Sequence, residues 1–154
     1  MLTDLLATVW RRVPKTVRRW SMRLTHPRFG VTAAGVVVDD QGRVLLLKHV
    51  FRPGSGWGLP GGFLEAGEQP EAALRRELEE EVGLKVERIK LFTVRIFKRP
   101  RQLEIVFRCK AVGDAKPRSM EVSTLGWFAP EGLPEGLPPD QCRLIQSAIA
   151  QDRM

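Results

Sequence analysis

The sequence predicts an α/β sandwich in three layers, with a helix on either face of a mixed sheet. Three observations carry that expectation. Four runs, VTAAGVVV from Val31, RVLLLKHV from Arg43, KVERIKLFTVRIF from Lys85 and LEIVFRCKAV from Leu103, hold the apolar and β-branched residues of buried strands. Between the second and third, Leu74, Leu78 and Val82 recur every four residues, the period of a helix with one apolar stripe. A second helical stretch, residues 140–151, follows the last strand and would cover the other face. With 154 residues, 43% of them hydrophobic and 28% charged, the chain can bury one real core and leaves no room for a second domain. Cys109 in a predicted strand and Cys142 in a predicted helix suggest reduced thiols in a cytoplasmic protein, not a disulfide framework.

Taken in order, residues 1–29 stand apart from the domain expected over residues 30–154. Leu2, Leu5, Leu6, Val9, Val13, Val17, Trp20 and Leu24 keep a helical spacing, while Arg11, Arg12, Lys15, Arg18, Arg19 and Arg23 crowd the remainder. Pro14 should kink or divide this amphipathic basic helix. Residues 1–30 hold seven Lys/Arg and one Asp, so they carry +6 of the chain's +7 and leave +1 for the rest. The basic balance therefore describes the extension and says little about an active site. Its apolar run is too short and too charged to span a bilayer, and no small-residue cleavage pattern follows it. Such a helix docks its stripe on its own domain or on a twin chain in a homodimer, or rests on an anionic membrane surface. Contact with nucleic acid fits the pattern less well. The location expected is cytoplasmic, with peripheral contact at the inner membrane surface as its extension. His26, before Pro27, reads as a loop residue.

From Val31 the pattern is that of strands. Asp39-Asp40-Gln41-Gly42 is a good turn, so the first two runs read as a buried hairpin, and His49 at its end reads as a surface strand residue. In the loop FRPGSGWG, residues 51–58, glycines allow close backbone approach, Arg52 could meet phosphate, and Trp57 either stacks on a base or plugs the core. The third and fourth strands turn at residues 98–102. STLGWFA is a short last strand and GLPEGLPP an irregular link to the final helix.

The helix between strands two and three carries the chemistry. Glu68, Gln69, Pro70 and Glu71 form an acidic, proline-led first turn, and Gly83 is the stop. At about 100° per residue, Glu77, Glu80 and Glu81 fall within an arc of roughly 100°, with Glu81 only about 20° from Leu74. These carboxylates border the core and repel one another, more strongly where desolvated. Either arginine compensates, with Arg75 and Arg76 pairing Glu79 and Glu80 on a solvated helix, or a divalent cation does. Mg²⁺ prefers oxygen ligands and uses a few carboxylates together with water and substrate phosphate.

Gly62, five residues, Glu68, seven residues, then Arg76-Glu77-Leu78-x-Glu80-Glu81-x-Gly83-Leu84 resembles, at every fixed position, the signature of the Nudix hydrolases. Trp57-Gly58-Leu59-Pro60-Gly61-Gly62 is similar to the family's entry loop, and Trp127-Phe128 with Leu133-Pro134 to its late strand and turn. The resemblance covers about residues 30–150 and implies a Nudix-like α/β/α sandwich. It also implies hydrolysis of a nucleoside diphosphate derivative, such as a nucleotide sugar or ADP-ribose, by water attack on phosphorus with Mg²⁺, or Mn²⁺ in its place. Glu80 and Glu81 would then be metal ligands, with the Gly61 carbonyl a third. Glu77 would be the general base or a further ligand, oriented by Arg76. Glu68 reaches a metal through water or favours the helix N-terminus. Glu121, six residues ahead of Trp127, would bring an extra ligating or catalytic carboxylate, with Glu104 its competitor. Oxidised nucleoside triphosphates and RNA 5′ pyrophosphate are alternative substrates. A nucleotide-binding regulator without hydrolysis is the alternative of another class, disfavoured by the intact acid set.

Overall fold

The computed structural model of the chain describes residues 28–151 together with Pro14. The basic helix expected over residues 1–29, its proposed contacts and His26 therefore lie outside the described residues, apart from Pro14, Arg28 and Phe29. In order come β1 (Gly30–Val38), β2 (Val44–His49), β3 (Trp57–Gly58), β4 (Gly61–Phe63), α1 (Pro70–Val82), β5 (Lys85–Phe97), β6 (Gln102–Val112), β7 (Val122–Phe128) and α2 (Pro139–Ala150). They form one sheet in the order β3-β2-β1-β6-β5, with β4 on β1 and β7 on β2. Only β1 and β6 pair in parallel, so the sheet is mixed, as expected.

Alternation along the strands builds two cores. Ala33, Val37, Leu45 and Leu47 face α1 and its Leu74, Leu78 and Val82, whereas Val36, Val38, Val44 and Leu46 face α2 and its Leu144, Ile145 and Ala148. A strand buried on both faces must be apolar throughout, which is why the first two runs lack polar alternation. Gly35 lets α1 lie close, since a Cβ there would sit 3.0 Å from Leu74 Cδ1. Among the described residues, no helix is long and apolar enough to cross a membrane.

The expected hairpin of β1 and β2 holds only at its turn. The turn at Asp39 forms as read, with Asp39 Oδ1 accepting the Gln41 and Arg43 amides at 2.9 and 2.8 Å. Yet β1 and β2 pair only at Val38 and Val44, then separate. Residues 57–63 enter the gap, β3 pairing with β2 and β4 with β1. Gly61 makes this possible: at φ 139° it lies so close to Ala33 that any side chain would overlap the Ala33 carbonyl.

Candidate active site

α1 delivers the acids, and its ends are held firmly. Pro70 starts it, and Gly83 ends it in the left-handed conformation at φ 66°, donating to the Glu79 carbonyl at 3.0 Å while the Leu84 amide reaches Leu78 at 3.2 Å. The apolar stripe turns Glu81 inward with Leu74, Leu78 and Val82, leaving it 7% exposed. The Gly61 amide donates to its carboxylate. His49 Nδ1 stands 3.6 Å from Oε1, and Oε2 is buried without a partner among the described residues.

His49 thus departs from the surface reading. Its side chain is 11% exposed and Nε2 is buried without a hydrogen-bond partner among the described residues. The signal was present in the run VLLLKH: continuing the period of two from Leu45 and Leu47 places His49 on the α1 face.

Arg52 also turns inward. A Cβ at Gly58 would overlap its guanidinium, so the glycine is what admits it, and Nη1 is buried without a partner among the described residues. Burial lowers its pKa, against the pull of Glu81 and Glu104. Burial, then the negative charge of Glu77, pushes the Glu81 carboxyl up to about 7; the Gly61 amide and Arg52 act the other way, and Glu121 adds to the rise. Burial, then Arg52, pushes His49 down to about 4.

Arg76 is the hub of the exposed side. Its Nε and Nη2 both donate to Glu68 at 2.9 Å, Nη1 donates to Glu77 at 2.9 Å and to Glu80 at 3.3 Å, and Nη2 reaches the Phe63 carbonyl at 3.1 Å. The two-pronged pair with Arg76 was in neither reading of Glu68. That carboxylate also accepts the Glu65 amide at 2.9 Å, which ties the loop after β4 to α1. Of the arginine pairs expected on the helix, Arg76 with Glu80 forms. Arg75 instead pairs with Glu71 at 3.1 Å while donating to the Val86 carbonyl of β5 at 2.7 Å, and Glu79 pairs at 2.8 Å with Arg118 of the loop before β7.

The loop before β7 folds over the end of α1. The Lys116 amide donates to Val82 and the Arg118 amide to Glu81, at 2.9 and 2.8 Å, while the Glu121 carbonyl accepts the Val50 amide at 2.8 Å. This brings the exposed Glu121 near enough to act on Glu81. Glu104 is placed differently. It shares a sheet face with Val106 under α2, and Arg95 binds it at 2.8 Å through Nε while holding Asp140 at 2.8 Å through Nη1. Trp57 packs edge-on against Phe128, ring centres 5.2 Å apart, in the α2 core, the arrangement of a core plug.

Among the described residues, no three His, Cys, Asp or Glu side chains form a ready-made metal cage. The donor set nonetheless suits a hard divalent cation. A buried carboxylate oxygen lacks a partner, and Gly62 carries no side chain where a Cβ would overlap the Glu77 carboxylate.

The two buried titrating groups predict opposing pH dependences. Folded Glu81 keeps its proton to about 7 against an ordinary 4.5, so in that interval the native state binds more protons and stability falls as pH rises. Folded His49 stays neutral to about 4 against an ordinary 6.5, so the native state binds fewer protons and stability rises with pH. In denaturation of the metal-free protein at stepped pH, the two offset each other. Glu81→Gln, left with the His49 dependence alone, should lose stability on acidification below 6.5, and His49→Gln, left with that of Glu81, should gain it below about 7. Parallel curves for all three proteins would refute the assignment.

Comparison with known proteins follows the same lines. A model of the NUDIX domain matches residues 28–147. A MutT-like protein of Streptomyces ambofaciens is 38% identical over 109 residues, 71% of this chain and 70% of the relative. The NAD-capped RNA hydrolase NudC of Chromobacterium violaceum is 36% identical over 116 residues, 73% of this chain but 42% of that protein, so the chain spans less than half of this relative. The crystal structure of a MutT NUDIX hydrolase from Burkholderia pseudomallei matches with a TM-score of 0.65 at 31% identity, covering 78% of this chain and 98% of that one.

Proposed function

The chain belongs to the NUDIX hydrolase family, and from that premise we propose that it hydrolyses the pyrophosphate linkage of a nucleoside diphosphate derivative with Mg²⁺, or Mn²⁺ in its place. The observation that carries the reading is Glu81: a buried carboxylate with an unpartnered oxygen, ringed by Gly61, His49, Arg52, Glu77 and Glu121. A buried acid with other carboxylates beside it is costly to ionise, and a cation with substrate phosphate would offset that cost. A divalent cation, when bound, offsets charge on the phosphate oxygens and in the transition state.

Glu80, Glu81 and the Gly61 carbonyl would hold the ion, Glu80 being on the exposed side of α1 and Glu81 on its buried side. Arg76 fixes the Glu77 carboxylate through Nη1. Arg52 supplies positive charge for phosphate from within the site. Water forms a new bond to phosphorus, the bridging P–O bond breaks, and the proton released by water passes to Glu77 or Glu121. Glu68 acts only through Arg76. The relative named as an NAD-capped RNA hydrolase supports a nucleoside diphosphate linked to a further group, and the relative named as an 8-oxo-dGTP diphosphatase keeps the triphosphate alternative.

The different surroundings of the two outlying acids support different expectations for them. Glu121→Gln should reduce kcat about 10²-fold, whereas Glu104→Gln, on the face under α2, should change it less than about threefold. Equal, small effects would remove both from the site.

A panel of ADP-ribose, NAD, UDP-glucose, 8-oxo-dGTP and 5′-triphosphate RNA tests the substrate class, with phosphate read after phosphatase and pyrophosphatase coupling. Turnover of a diphosphate-linked compound, lost in Glu81→Gln, supports the proposal. Turnover confined to the triphosphates would favour the alternatives, and none with either metal would favour a binding role.

A further inference from the structure

The outer strand β5 carries an apolar row that no described element covers. Leu91, Val94 and Ile96 are 61%, 49% and 65% exposed. They lie directly across from Phe107, Ile105 and Leu103, and Phe107 and Ile105 pack in the α1 core, so the row belongs to the α1 face of the sheet. α1 meets β5 at its other end, near Leu84 and Val86. From Leu91 to Ile96 the row runs about 17 Å. It is continuous with the core, unlike a scattered surface leucine.

The chain supplies an occupant at this corner. The Gly30 amide donates to the Arg101 carbonyl at 2.9 Å, which pins the start of β1 beside the β5–β6 turn, and Ile96 stands one pair in from the end of that ladder. Residues 1–27 leave from this point, and 27 residues reach several times the length of the row. Their Val13, Val17, Trp20 and Leu24 recur at helical spacing, with the five residues 25–29, Pro27 among them, left as a connection to β1. A helical stretch from Val13 to Leu24 is about 17 Å long, the length of the row.

We infer that residues 13–24 dock their Val/Trp/Leu stripe on Leu91, Val94 and Ile96, completing the cover of the α1 face. A tethered segment meets this surface at a local concentration in the millimolar range, which a second copy of the chain does not reach in solution. Docking in this sense leaves Arg12, Lys15, Arg18, Arg19 and Arg23 to the solvent side of the stripe.

The test uses the full chain with Trp20→Ser, Ile96→Ser and the two combined. Ile96 is mostly exposed, so its substitution leaves the domain folded. Hydrogen exchange of the amides in residues 13–24 should quicken about tenfold or more in each single variant and no further in the double variant, with a monomer mass throughout. Fully additive effects, or no effect of Ile96→Ser on those amides, would overturn the inference. A wild-type dimer that Ile96→Ser dissociates would overturn it in favour of a second copy. Protection gained only on vesicles of anionic lipid, and indifferent to Ile96→Ser, would overturn it in favour of a membrane surface.

Discussion

Glu81→Gln should lower turnover by about 10²–10³-fold while the fold persists. The buried carboxylate is the part of the site that solvent cannot replace, so its charge is lost to the transition state outright. The same change removes an acid that the metal-free fold holds at a cost, with its pKa pushed up to about 7. The variant should therefore melt above wild type near pH 8 in chelator, a gain of stability with a loss of rate. Glu80→Gln should also lose rate by orders of magnitude, with little change in stability, because its side chain is 60% exposed and held only at 3.3 Å by Arg76. Near-wild-type rates in both variants would sink the assignment of these residues.

Arg76→Ala should cost about 2 kcal/mol of stability and reduce turnover as well. Five donor contacts end on this guanidinium, and their loss strands Glu68, Glu77 and the Phe63 carbonyl together. Partial exposure of the cluster lowers the figure from what buried pairs would give. Arg76→Lys should recover little, since an ammonium cannot hold Glu68 by two parallel bonds and Glu77 by a third. Urea denaturation and steady-state rates on the same preparations check this. A loss below about 0.5 kcal/mol in Arg76→Ala, with rate retained, would show the hub to be ornamental.

The helix and its acids were legible because local chemistry determines them. The stripe of Leu74, Leu78 and Val82, the proline start and the glycine stop all act within a few residues. The three layers were legible for a related reason, since strands apolar at every position require cover on both sides. The short extent of the β1–β2 pairing was not legible because Asp39 makes a good turn by itself, whereas the separation of the strands comes from residues 57–63, whose partners are distant in sequence. The Arg76–Glu68 pair was not legible for a similar reason: Glu68 lies in a loop whose path back onto the second turn of α1 the sequence does not reveal. His49 was discounted as a single residue, although the alternation of its own strand pointed it at the helix. The membrane, docking and nucleic-acid readings of residues 1–29 lie almost wholly outside the described residues.

The parallel register of β1 with β6 has a consequence for the order of assembly. Gly30 meets Gln102 and Val38 meets Lys110, so the pairing joins segments about 70 residues apart, and every acid of the α1 cluster lies inside the loop it closes. Loops of that length close late and at an entropic cost that local contacts must first outweigh. A chain still emerging from the ribosome, grown to residue 100, would hold the whole acidic helix but lack the strand that seats β1 between its neighbours. Nucleotide and metal would meet an unfinished cleft until synthesis passed β6, so hydrolytic competence is a property that the growing polypeptide acquires only after that strand is made.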